Sequence, residues 1–159
     1  MDMTGGAHSA VPEDGDATFV EWSAKYDTGV DFLDRQHREL VGIVNRLYGA
    51  CLHGGGEAEA GFRDAMSRMV EYVRFHFASE VELMEKIGFP DIAGHRKQHD
   101  ALIRDILGAS HGYCGTGSLA GSRFVRTLRD WVLGHIAVYD TEYANFVAER
   151  RRLEPAFDF

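Results

Sequence analysis

The sequence has only two cysteines, Cys51 and Cys114, and they lack CxxC spacing. That excludes a disulfide scaffold, and the pair reads as two reduced thiols of a cytoplasmic protein. Long apolar runs are missing as well. None approaches the roughly eighteen residues that a membrane-spanning helix needs. Positive charge is scarce: 17 Lys and Arg face 25 Asp and Glu, a net charge of −8 with histidine neutral. The excess of acid argues for solubility and against a nucleic-acid partner. The opening stretch, MDMTGGAHSAVPEDGDA, has neither a basic region nor an apolar core, so it is not a secretory signal. A convincing alternation of apolar and polar residues, the mark of a half-buried strand, occurs nowhere.

What is present is helical period. A chain of 159 residues with 45% hydrophobic content suits one domain around one core. Residues 1–18 are small, acidic and Gly-rich, and we expect a disordered tail there. Residues 19–152 form the folded domain, beginning with an arm that Trp22 and Tyr26 anchor, and 153–159 form a C-terminal tail. From Asp31 to His53 the apolar positions are Leu33, Leu40, Val41, Val44, Leu47, Tyr48 and Cys51, one face of a helix. Asp31 is placed to cap it, and Gly54-Gly55-Gly56 stops it. A second helix runs from about Glu57 to Ile87, a third starts just after Pro90, and a fourth begins near Ser118. A further helical piece with Tyr143, Phe146 and Val147 closes the chain before Pro155. The expected architecture is all-α: an antiparallel up-down-up-down four-helix bundle with an N-terminal arm and a short C-terminal helical extension.

Seven polar residues interrupt the apolar stripes. They are His37, His76 with Glu80, His95 with His99, and His135 with Asp140. Burying such groups without partners costs several kcal/mol each. Each has a bland reading: a core histidine satisfied by a hydrogen bond, or an i,i+4 charge pair. Together those readings fail, because the depths agree. In antiparallel helices all seven groups fall at one level, nearer one end of the bundle than its middle. His135 and Asp140 are the awkward pair, since five residues turn an ideal helix about 140° off the face. Both point inward only if the helix ends, widens or kinks between them. His8, His53 and His111 lie outside the stripes and read as surface or loop residues, and Tyr139 beside Asp140 stays undecided.

A set of imidazoles and carboxylates without thiolate suits iron. Five histidines beside two carboxylates exceed one ion, so two are implied. If both carboxylates bridge, five nitrogens and four oxygens fill nine of the twelve positions of two octahedral ions. A bridging oxo or hydroxo group fills two more. One position stays open, on the ion with fewer histidines, and in an apolar pocket it suits a small diatomic ligand.

The motifs Asp34-x-Gln36-His37, His76-Phe77-x-x-Glu80, His95-x-x-x-His99 and Trp131-x-x-x-His135-Ile136-x-x-x-Asp140 resemble the full hemerythrin signature. The likeness covers roughly residues 20 to 150, and Trp22 ahead of the first helix favours the prokaryotic branch, the bacteriohemerythrins. The resemblance implies that His95, His99 and His135 bind one iron and His37 and His76 the other. It implies that Glu80 and Asp140 bridge the two, and that dioxygen binds at the iron of His37 and His76. By the same resemblance Phe77, Trp131, Val132 and Ile136 wall the pocket. The implied function is reversible, non-enzymatic dioxygen binding at two irons bridged by oxo or hydroxo and two carboxylates, for carriage, storage or sensing. Dioxygen is the expected partner, with no nucleic acid and no membrane; nothing in the sequence names a protein partner.

Two other classes bear comparison. A di-iron enzyme acting on oxygen, peroxide or nitric oxide would favour a carboxylate-rich set with Glu-x-x-His, and no Glu-x-x-His occurs here. HExxH is absent too, because Arg96-Lys97-Gln98 separates His95 from His99. A metal used only as a structural clamp predicts no open position and no gas reactivity.

Overall fold

In the computed structural model, residues 19–52, 56–111 and 118–156 are described. The expected disorder of 1–18 falls outside them, as do His8, His53, Cys114 and residues 157–159 of the C-terminal tail. The elements are a short 3-10 turn Ala24–Tyr26, α1 Asp31–Leu52, α2 Gly56–Ile87, α3 Ile92–His111, α4 Ser118–Gly134, a π turn His135–Asp140, and α5 Thr141–Leu153. No strand occurs among the described residues. Helix α1 packs on α2 and α4, and α3 closes the ring against the same two. The bundle is the one expected, and its C-terminal extension continues α4 through the π turn.

The arm is latched by a residue that periodicity could not reveal. Asn45 of α1 accepts from the backbone N–H groups of Val20 (2.8 Å) and Phe19 (3.1 Å) and donates to the Val20 carbonyl (2.9 Å). Phe19 then stacks on Tyr48, with ring centroids 4.0 Å apart. Trp22 and Tyr26 also pack against the core, as expected of anchors.

Two helix ends explain how the arm and the α2–α3 corner are set. Asp31 is the exposed first residue of α1 and does not close its start. Asp34 takes that part instead: its carboxylate accepts from Thr28 N and Thr28 Oγ1 (both 2.7 Å) and from Gly29 N (3.2 Å). A carboxylate one turn into the helix can fold back over orphan N–H groups, and glycine lets the chain turn with φ of 75° at Gly29. At the other corner Gly88 takes φ of 70°, with Phe89 N–H donating to Met84 (2.8 Å) and Gly88 N–H to Glu85 (3.2 Å). This is a Schellman ending. Arg150 of α5 adds a bond to the last carbonyl of α2, at Ile87 (3.2 Å).

The core is two apolar clusters. The larger includes Leu40, Val44, Leu47, Met69, Val73, Phe77, Leu128, Val132 and Ile136. The smaller holds Val30, Leu33, Leu83, Met84, Ile87, Phe89, Tyr143 and Val147. Reading along each helix, the polar residues fall between them: His37 between Leu33 and Leu40, Glu80 between Phe77 and Leu83, Asp140 between Ile136 and Tyr143. The layer is therefore sealed on both sides and lies toward one end, as depth matching requires.

Candidate metal centre

All seven residues are buried, each no more than 6% exposed. The π turn resolves the awkward pair. Widening the helix to an i→i+5 turn cuts the angle between His135 and Asp140 from about 140° to roughly 50°. Both then face the layer. Thr141 helps to hold the distortion, donating from Oγ1 to the Ala137 carbonyl at 3.0 Å.

The carboxylates stand in the middle and the imidazoles divide around them. Glu80 Oε1 lies 3.6 Å from His37 Nε2 and 3.3 Å from His76 Nε2. Its Oε2 lies 2.9 Å from His99 Nε2 and 3.6 Å from His95 Nε2. Asp140 repeats the division, with Oδ2 3.2 Å from His37 and Oδ1 3.2 Å from His135 and 3.7 Å from His95. One half thus collects two histidines and the other three, and both carboxylates span the two halves.

These contacts are not hydrogen bonds. Nε2 of all five histidines, Glu80 Oε2 and both oxygens of Asp140 are buried without a hydrogen-bond partner among the described residues. Four of the separations fall within hydrogen-bond distance, so it is direction that fails. Neighbouring donors on one octahedral ion, each about 2.1 Å from it, stand about 3 Å apart with their lone pairs converging on the ion. Two ions fit this donor set: one among His37, His76, Glu80 and Asp140, the other among Glu80, His95, His99 and His135.

Without metal, protons take over the balancing of charge. Burial alone would lower the His37 pKa, but Asp140 and Glu80 outweigh it and raise it from 6.5 to about 9. His135 is raised in the same way by Asp140, against its own burial. His99 is lowered, because burial there outweighs Glu80. Glu80 is held well below the usual carboxylate range, since His76, His37 and His95 overcome the opposing effect of full burial.

Around the donors lie residues that orient them. Tyr143 is fully buried, and its hydroxyl donates to Glu80 Oε1 at 2.9 Å. Burial and the nearby Glu80 and Asp140 push its pKa well up, so it remains the donor. Its sequence signal was faint, a position three residues beyond Asp140 in what reads as an extension. Gln36 Oε1 lies 2.9 Å from His76 Nδ1. Tyr139, left open by sequence, has its ring 5.6 Å from that of His135.

Of the four expected wall residues, Phe77 is in direct contact. Its ring lies face to face with His99, centroids 3.6 Å apart, and 5.3 Å from His135. Val132 and Ile136 are buried in the larger cluster, while Trp131 is half-buried against it. Trp22, expected only as an anchor, also stacks over His37 with centroids 6.2 Å apart. Arg38 covers the indole at 5.1 Å, and Asp27 ties the two together by accepting from Trp22 Nε1 (3.0 Å) and Arg38 (2.7 Å).

Comparison with known proteins agrees with this geometry. The family described as Hemerythrin HHE cation binding domain matches residues 28–147. The chain belongs to the hemerythrin family. The match contains every residue of the polar layer. Bacteriohemerythrin of Methylococcus capsulatus is 30% identical over 125 residues, covering 78% of this chain and 93% of that protein. Bacteriohemerythrin of Stenotrophomonas maltophilia is 29% identical over 126 residues, covering 79% and 80%. A solved structure titled as wild-type hemerythrin superposes with TM-score 0.67 at 29% identity, covering 80% of this chain and 96% of that one. At these levels the chain is a hemerythrin of the bacteriohemerythrin type. No helix among the described residues is long and apolar enough to cross a membrane.

Proposed function

We propose that this hemerythrin binds dioxygen reversibly at two irons and acts as a non-enzymatic oxygen-binding protein of the cytoplasm. The observation that carries the reading is the unequal division of donors. His95, His99 and His135 serve one half, His37 and His76 the other, and Glu80 and Asp140 span both. The half with two histidines is one protein donor short, which suits a small exogenous ligand there. When bound, the irons with their oxo or hydroxo bridge supply the electrons and the open position for that ligand.

The chain's own residues support reversibility. Gln36 and Tyr143 hold one histidine and one carboxylate from outside the donor set. Phe77, Val132 and Ile136, members of one apolar cluster against which Trp131 packs, supply an apolar wall that disfavours water and protons. Trp22 covers the His37 side, where the ligand would sit. Neutral imidazoles outnumber anionic donors, so the set does little to stabilise highly oxidised iron.

The test is optical. The reduced, iron-loaded protein is expected to be colourless, to gain a charge-transfer absorption on admission of air, and to lose it when oxygen is removed. Prompt and irreversible oxidation with release of peroxide would count against this function.

A further inference from the structure

Gln36 sits beside the donor set, and its hydrogen bonds fix more than its own position. Ser79 is on α2 one turn beyond Phe75, and its hydroxyl donates to the Phe75 carbonyl at 3.1 Å. A hydroxyl has one proton, so with that proton committed Ser79 Oγ can only accept from Gln36. Gln36 Nε2 donates to it at 3.2 Å. That contact sets the amide: its nitrogen faces Ser79, and its oxygen faces His76 Nδ1 at 2.9 Å. An amide oxygen can only accept, so His76 carries its proton on Nδ1. The lone pair of Nε2 is then directed into the layer, toward Glu80 Oε1 at 3.3 Å. The relay runs from a backbone carbonyl of α2, through two side chains, to one imidazole.

The other imidazole of this half is held differently. His37 Nδ1 is buried with no hydrogen-bond partner among the described residues, and the ring is held by the face of Trp22. Stacking fixes a ring plane but does not choose which nitrogen bears the proton. Within the two-histidine half, His76 is therefore the donor whose tautomer is chosen from outside. A free imidazole prefers its proton on Nε2, which would block the metal-facing atom.

We infer that Gln36, itself oriented by Ser79, is a positioning residue that locks His76 in the Nδ1–H tautomer and so completes the two-histidine half of the centre. The inference rests on the two-metal reading proposed above. Orienting partners of metal-bound histidines are worth about 10–100-fold in metal affinity. The loss here is confined to one half, because Gln36 touches none of His95, His99 and His135.

The test is titration of the metal-free protein with Co(II), followed by its visible d–d absorption. Wild type should take up two Co(II) per chain, and His76→Ala marks the step that belongs to the two-histidine half. Gln36→Leu should weaken that step by about 10–100-fold and leave the other unchanged. Gln36→Glu should restore it, since a carboxylate also accepts from Nδ1–H, and Ser79→Ala should weaken it in part by releasing the amide. Nitrogen NMR of the metal-free wild type should show the neutral His76 ring with its proton on Nδ1, and a proton on Nε2 there would overturn the inference. Equal weakening of both steps in Gln36→Leu would mean a general structural role and overturn the inference, as would no weakening at all. Uptake of fewer than two Co(II) by wild type would instead bring down the two-metal reading, and this inference with it.

Discussion

Glu80→Ala should leave the purified protein with well under two irons per chain, the largest loss expected from any single substitution. Glu80 belongs to both candidate groups of donors and, like Asp140, presents one oxygen to each half. It lies within 3.6 Å of four of the five histidines, and its side chain is fully buried. Removing it takes one oxygen from each half and leaves Tyr143 without its acceptor. It also removes an anion from a layer where desolvated charge is costly to leave uncompensated. Metal analysis after loading, with circular dichroism to confirm that the bundle still forms, reads the outcome. Retention of two irons in a folded Glu80→Ala variant would refute the bridging role.

Stripping the metal from the wild type should lower its melting temperature by roughly 10–15 °C. A ligand that binds only the folded state at a thousand times its Kd contributes about 4 kcal/mol. In a domain of this size each kcal/mol moves the melting temperature by a few degrees. The metal-free layer is not left bare, because His37 retains a proton to about pH 9. That sets the sign of the pH dependence. A histidine raised above its unfolded value stabilises the fold fully below pH 6.5 and ceases to as pH passes through about 9. His135 acts in the same direction. The metal-free protein should therefore lose stability between pH 7 and 9, and the gap to the iron-loaded protein should widen. Calorimetry of both forms across that range measures it. Equal melting temperatures with and without metal would contradict the coupling of this layer to folding.

Much of this was legible in the sequence because the layer is written in helical period. His37, His76, Glu80, His95, His99 and His135 occupy positions that an apolar stripe assigns to the core, and the structure buries all of them. Asp140 was legible as a conflict. Its five-residue offset from His135 demanded a broken, widened or kinked helix, and the π turn is the widened form. What periodicity could not show are contacts between residues distant in the chain. Tyr143 reaches Glu80 across 63 positions and Gln36 reaches His76 across 40. Asn45 finds the arm across 25. Such pairings depend on the crossing of helices and on rotamers, to which a stripe of apolar residues is indifferent. Asp31 failed as a cap for a local reason. Thr28 and Gly29 turn the chain so that their N–H groups meet Asp34, one turn further on.

Iron and zinc analysis of the purified wild-type protein, combined with Mössbauer spectroscopy, tests the central claim most directly. Two irons per chain are expected, in two unlike environments of equal population, one with three histidines and one with two. A single iron, zinc in its place, or two identical iron environments would contradict it.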